Sequence, residues 1–187
     1  MKHRVVILAS GAGTLAQALF DAEDLAIEIV AVISDKKRAA VLERANRHGI
    51  PTQVIELTDS RHTWNQEIIQ AVADYKADLV VSAGFMKILP PDFVNRFPTI
   101  NCHPALLPEF PGAHAVRDAL AAGVSVTGTT VHWVDAGVDT GPIITQMEVP
   151  VMPDDNEDTL HERIKKVERG LIVATIALIL PTLERHD

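Results

Sequence analysis

Arg4-Val5-Val6-Ile7-Leu8-Ala9-Ser10-Gly11-Ala12-Gly13-Thr14-Leu15 decides the fold. Four apolar residues in a row, Val5 to Leu8, leave the strand no polar side, which suits a strand covered on both faces within a parallel sheet. The Ser10-Gly11-Ala12-Gly13 turn ends the extended run, and from residue 14 to 22 the apolar spacing takes up a helical period. Outward from this unit the pattern recurs. Residues 27–35 and 51–56 read as strands, residues 38–48 and 60–76 as amphipathic helices, and Leu79-Val80-Val81 as another buried strand. This alternation predicts an α/β fold: an open, mostly parallel, doubly wound Rossmann-like sheet with helices on both faces and ligands at the carboxyl ends of the strands.

Past Gly84 the rhythm loosens. Residues 99–103, 127–134 and 141–150 read as strands, joined by a proline-bearing loop at 103–112 and a glycine-rich loop at 135–140, and a final helix is predicted over 158–179. Loops held by a rigid scaffold are where function concentrates. No repeat, low-complexity tract or linker divides the sequence, so one domain over 1–187 is expected. At 187 residues and 47% hydrophobic, the chain can bury one sizeable core. A net charge of -8 without any Lys/Arg run disfavours nucleic acid and points to small-molecule partners. A single cysteine and an N-terminus that enters a strand directly point to the cytoplasm. The longest apolar run, 171–181, falls short of the roughly 20 residues that cross a bilayer, so no membrane partner is expected.

The glycine turn allows three readings. Glycines between strand and helix let backbone amides approach a phosphate, where any side chain at Gly13 would crowd the anion and strain the turn. The turn can equally be a simple connection with Thr14 as helix N-cap. A dinucleotide fingerprint would use Ala16 in place of its third glycine and Asp35 as the acid ending the second strand. The glycines do not choose among these.

Asn101 and His103 sit two apart at a predicted strand end, so both face one way and Cys102 the other. An amide NH2 and an imidazolium are both donors, the pair that stabilises a carbonyl oxygen becoming an oxyanion. The bland alternative is an asparagine capping its own loop beside a satisfied histidine. Thr130 and His132 share a face of the next strand, and Asp139 follows in a loop rich in glycine. A carboxylate there can take a proton from an attacking amine, directly or through water, while the histidines hold it. Asp135 reads as a turn former. No nucleophile elbow, Walker lysine motif or zinc spacing occurs, so no metal is expected. Cys102, turned from His103, is not read as a nucleophile.

Five segments together carry a resemblance: Ser10-Gly11-Ala12-Gly13; Ala83-Gly84-Phe85-Met86-Lys87-Ile88-Leu89; Asn101-Cys102-His103-Pro104-Ala105-Leu106-Leu107-Pro108; Phe110-Pro111-Gly112-Ala113-His114; and Asp135-Ala136-Gly137-Val138-Asp139-Thr140-Gly141-Pro142. In order and spacing along nearly the whole chain they resemble the folate-dependent formyltransferases. The resemblance places catalysis on Asn101, His103 and Asp139, which the residues alone had already singled out. It implies that Gly11, Ala12, Gly13, Thr14 and Leu15 bind the ribose phosphate of the acceptor and that Glu168, on the final helix, contacts its amine. Without the resemblance, Glu168 would read equally well as an exposed helix-surface charge. Met86, Lys87, Ile88 and Leu89, with Val138, Thr140 and Gly141, are implied to line the folate pocket, supported by Thr130, His132 and Arg61.

The activity implied is transfer of the formyl group of 10-formyltetrahydrofolate to the amine of glycinamide ribonucleotide in purine synthesis, through a tetrahedral intermediate and without metal. A homodimer is left open. Within the family, tRNA-modifying members carry an arginine after the Leu-Leu-Pro loop and a further C-terminal domain, and the formylfolate hydrolase carries an N-terminal regulatory domain. Here Pro111-Gly112 follows the loop, and neither extra domain is expected. One departure stands out: relatives have Ser-Asn after the second glycine, whereas this chain has Thr14-Leu15, and Leu15 can offer a phosphate only its backbone amide.

Overall fold

In the computed structural model, which describes residues 2–58 and 60–185, the opening apolar run is strand β1 (His3–Leu8) and the glycine turn leads into helix α1 (Thr14–Phe20). Then follow β2 (Ile27–Ser34), α2 (Ala40–Arg47), β3 (Thr52–Val54), α3 (Arg61–Asp74) and β4 (Leu79–Ser82). The second half holds α4 (Pro91–Arg96), β5 (Thr99–His103), α5 (Ala115–Ala122), β6 (Val126–Trp133), β7 (Ile143–Pro150) and α6 (Glu157–Ile179). The seven strands form one sheet in the order β3-β2-β1-β4-β5-β6-β7. Its first five strands pair in parallel, while β6 runs antiparallel to both β5 and β7. The expected open, mostly parallel sheet is therefore present, with an antiparallel edge.

Alternation along the strands builds two cores. Val5 and Ile7 of β1, with Val81, Ile100 and Val131, pack against α1, α2 and the second half of α6. Val6 and Leu8, with Ile33 and Val80, face the other way onto Trp64 and Ile68 of α3 and Phe93 of α4. Each such fully buried side chain is worth roughly 1.5–3 kcal/mol relative to exposure, which explains why the central strands carry no polar alternation. A third cluster joins Val116 of α5, Val149 of β7, and Leu160 and Ile164 of α6, securing the antiparallel edge.

Side-chain caps set two of the helix starts. Ser60 caps α3 by accepting from Thr63 N–H at 3.3 Å, and Asn156 and Thr159 cap one another's backbone at the start of α6. Two helices, α4 and α5, were not predicted. They are six and eight residues long and lie in the half of the chain where the strand–helix alternation loosens. A correction applies at α1: its N-cap is Gly13, at φ 73°, and Thr14 is already inside the helix. The left-handed cap conformation favours glycine over threonine.

Candidate active site

Strand β5 carries Ile100 and Cys102 into the α1/α6 core and turns Asn101 and His103 to the opposite face. Pairing with β6 sets Asn101 opposite His132 and His103 opposite Thr130. Directly opposed residues on antiparallel strands share a face, so the four form a two-by-two patch at the carboxyl end of β5. The loop after β6 folds back over it. Gly141 passes so near β6 that a Cβ there would lie 1.8 Å from the Trp133 carbonyl oxygen. Asp135 organises this loop, accepting from Gly137 N–H at 2.9 Å and Thr140 Oγ1 at 2.7 Å, the turn-forming role read from the sequence. Asp139 is delivered onto the patch at φ 54°, a backbone conformation uncommon outside glycine and typical of functional positions.

Asp139 Oδ2 lies 3.3 Å from His103 Nδ1 and Oδ1 lies 3.5 Å from His132 Nε2. The Gly112 N–H donates to Oδ2 at 2.8 Å. Half-burial pushes the Asp139 carboxyl up, but the bond from His132, the Gly112 amide and the nearby histidine charges outweigh it and hold the group below its ordinary value. It is anionic at neutral pH. His103 Nε2 faces the Phe110 carbonyl at 2.8 Å. Both ring nitrogens of His103 thus lie beside acceptors, the Phe110 carbonyl at Nε2 and the Asp139 carboxylate at Nδ1. His132 Nδ1 sits 2.8 Å from the Trp133 carbonyl, leaving Nε2 between the Asn101 amide, at 3.3 Å, and Asp139.

Behind the strand lies a second buried group. Thr129 Oγ1 donates to the His103 carbonyl at 3.1 Å and lies 3.4 Å from Cys102 Sγ and 3.5 Å from Glu168 Oε1. Burial pushes the Glu168 carboxyl up to about 7, against the opposing pull of Thr129 and Lys165. Glu168 is therefore not an exposed helix-surface charge. It sits on the Cys102 side of β5, across the sheet from the Asn101, His132 and Asp139 side chains. Burial, then the Glu168 charge, raises the Cys102 thiol well above its usual range, so it remains protonated and a poor nucleophile.

The glycine turn stands at the carboxyl end of β1, and helix α2 grips it: Val41 N–H donates to the Gly11 carbonyl at 3.1 Å, and Arg44 Nε to the Ala12 carbonyl at 2.8 Å. Neither gripping residue belongs to a motif, and both lie some thirty positions downstream in the chain. A Cβ on Gly13 would meet Val41 Cγ2 at 2.5 Å, whereas one on Gly11 meets nothing within 4 Å. The strain expected of a side chain at Gly13 is present and comes from helix packing and a left-handed φ, while the position that faces open space is Gly11. Leu15 is buried in the α1/α6 core, so its side chain serves packing. Asp35, the acid that a dinucleotide site would turn to a ribose, is buried and paired with Lys87 at 3.4 Å.

The segment after β4 is tied to the turn, since Met86 N–H donates to Ser10 Oγ at 2.8 Å. Met86 and Ile88 are 65% and 60% exposed, and Val138, beside Asp139 in the loop after β6, is 48% exposed. Leu89 is buried beneath them. Arg61 donates to the Ile88 carbonyl while its guanidinium lies 4.6 Å over the Trp64 ring, which braces this segment. Asn101, His103, His132, Thr130 and Asp139 are thus gathered in one place, whereas the glycine turn, the 86–89 segment and Glu168 surround it without touching it. Gln146 of β7, which hydrogen-bonds Thr130, went unnoticed in the sequence, where nothing but strand alternation marks it.

Comparison with known proteins gives one consistent result. A model of the formyl transferase family matches residues 3–176. Over 182 residues the chain is 53% identical to the phosphoribosylglycinamide formyltransferase of Mycobacterium tuberculosis (strain ATCC 25618 / H37Rv), covering 94% of this chain and 84% of that protein. It is 42% identical over 185 residues to the trifunctional purine biosynthetic protein adenosine-3 of Homo sapiens, covering 95% of this chain and 18% of that longer one. The crystal structure of glycinamide ribonucleotide transformylase 1 from Symbiobacterium toebii superposes with a TM-score of 0.94 at 36% identity, over 100% of this chain and 95% of that one.

Proposed function

The chain belongs to the formyl transferase family, and on that premise we propose that it transfers the formyl group of 10-formyltetrahydrofolate to the amine of glycinamide ribonucleotide. The substrate pair is supported by the names of the relatives, which match along nearly the whole chain. The observation that carries the chemistry is the chain of contacts at the end of β5 that runs from Asn101 to His132 at 3.3 Å, from His132 to Asp139 at 3.5 Å and from Asp139 to His103 at 3.3 Å.

In this reading the amine attacks the formyl carbon and the carbonyl oxygen becomes an oxyanion. The Asn101 amide donates to it, and His103 Nε2 donates once the oxyanion has taken the place of the Phe110 carbonyl. Asp139, anionic at neutral pH, stabilises the doubly protonated His103 from the Nδ1 side and takes up the amine's proton directly or through water. Collapse of the oxyanion breaks the bond between the formyl carbon and the folate nitrogen, and the proton taken from the amine passes to that nitrogen as tetrahydrofolate leaves, so three side chains manage proton and charge with no covalent intermediate and no metal. The exposed Met86, Ile88 and Val138 form an apolar opening beside the patch that suits a flat ring, and Lys87, Leu89, Thr140 and Gly141 complete it. The Gly11 turn, with the amides of Ala12 to Leu15, seats the ribonucleotide phosphate, and Glu168 contacts the acceptor. The whole of 1–187 acts as one catalytic domain in the cytoplasm on small molecules.

The test is direct: mix the purified protein with the formylfolate and glycinamide ribonucleotide and follow the folate absorbance. Turnover that requires both substrates is expected. Absence of turnover together with tight dinucleotide binding would overturn this reading in favour of a nucleotide-binding module.

A further inference from the structure

His103, Thr130 and Gln146 stand side by side across three strands, because β5 pairs His103 with Thr130 and β7 pairs Gln146 with the same Thr130. All three side chains therefore lie on one face. Gln146 belongs to no motif and to the outermost strand, yet it sits in the row of the histidine. Its amide donates to the Leu107 carbonyl at 2.8 Å and to Thr130 Oγ1 at 2.9 Å. Thr130 Oγ1 in turn donates to the Ala105 carbonyl at 2.7 Å and accepts from Leu107 N–H at 3.1 Å. A hydroxyl has one proton and two lone pairs, and this one uses all three.

The stretch 105–107 is thus pinned to β6 and β7 by three hydrogen bonds to two side chains, which a fourth bond ties to each other. The same loop runs on to the two groups that set the patch: the Phe110 carbonyl against His103 Nε2, and the Gly112 N–H on Asp139, both at 2.8 Å. Phe110 itself is held at φ 51°, a conformation uncommon outside glycine that persists only where the surroundings enforce it. The loop therefore depends on an external hold, and β7 supplies it.

We infer that Gln146 is a positioning residue for the reaction: through Thr130 and Leu107 it fixes the loop that orients the His103 ring and the Asp139 carboxylate. The inference rests on the formyl-transfer reading for its kinetic consequence and on geometry alone for its structural one. Gln146 acts on the chemical step rather than on substrate affinity, since its bonds go to the loop that sets the reacting groups. A misplacement of about 1 Å among such groups can cost ~10²-fold in rate.

Two variants test it. Gln146→Leu removes the amide, and Gln146→Glu keeps its shape but cannot donate. Each should lower kcat per folded molecule by roughly 10–100-fold, with KM for both substrates within about 3-fold. Amide exchange at Leu107 and Gly112 should quicken by about 10-fold or more while β1 amides are unchanged. Because Gln146 and Thr130 bond each other and hold the same loop, the double variant Thr130→Val/Gln146→Leu should lose less than the product of the two single losses. A kcat within about 3-fold of wild type in both variants, a loss borne entirely by KM, or fold-losses that multiply in the double variant would each overturn the inference. Should the leucine variant not fold, the glutamate variant decides alone. A wild-type protein without turnover would instead overturn the formyl-transfer reading, and the exchange rates of Leu107 and Gly112 would still decide whether Gln146 holds the loop.

Discussion

Asp139 reaches two histidines from a left-handed backbone conformation, and its carboxyl is held below its ordinary value by the contacts it gains there. With a folded value below the unfolded one, its ionised contacts contribute stability above the ordinary carboxylate range and lose it as pH falls through the lowered value. An amide keeps the size but neither the charge nor the proton affinity, so Asp139→Asn should lose about 10²–10⁴-fold in kcat. Activity within a few-fold of wild type across pH would leave it a loop-holding residue. Asn101→Asp puts a negative charge where an oxyanion must form. Turnover should drop by roughly 10²–10³-fold while a folate analogue binds nearly as before, and steady-state kinetics with a parallel titration would show both.

At the scale of elements, the turn between β1 and α1 divides labour between its two glycines. Gly13 lies against Val41 of α2 at φ 73°, so Gly13→Ala should cost about 1–3 kcal/mol of stability, seen as a lower melting temperature. Gly11 faces open space, and Gly11→Val should stay within ~0.5 kcal/mol of wild type. It should nonetheless lose binding of the ribonucleotide and of inorganic phosphate in calorimetry; retained phosphate binding would place the anion elsewhere. Helix α6 contributes a pH signature of its own. Glu168 is raised to about 7 by burial, so the folded state holds its proton more tightly than the unfolded chain. Stability is then full at acid pH and declines as pH rises from the ordinary carboxylate range through about 7. Glu168→Gln should abolish that decline, gaining on the order of 1–3 kcal/mol at pH 8. A wild-type melting temperature flat between pH 5 and 8 would show that Glu168 is not so perturbed.

Across the whole molecule, the cluster of Val116, Val149, Leu160 and Ile164 fastens the antiparallel edge at a distance from the patch. Leu160→Ala should therefore cost roughly 2–5 kcal/mol while kcat per folded molecule is retained; a rate loss beyond that explained by unfolding would couple this cluster to catalysis. The sequence by itself determined what is local. Apolar runs marked β1, β2 and β4, and period-two alternation turned Asn101 and His103 to one face and Cys102 to the other. Five motifs in order pointed to the family. The tertiary structure decided what depends on pairing between distant segments: that β5 meets an antiparallel β6 and so brings His132 opposite Asn101, that Gly13 is closed by α2 while Gly11 stays open, that Glu168 is buried beside Thr129, and that Gln146 joins the row of His103. Periodicity encodes which face a side chain takes; register and burial are set by contacts between segments that the local sequence does not specify.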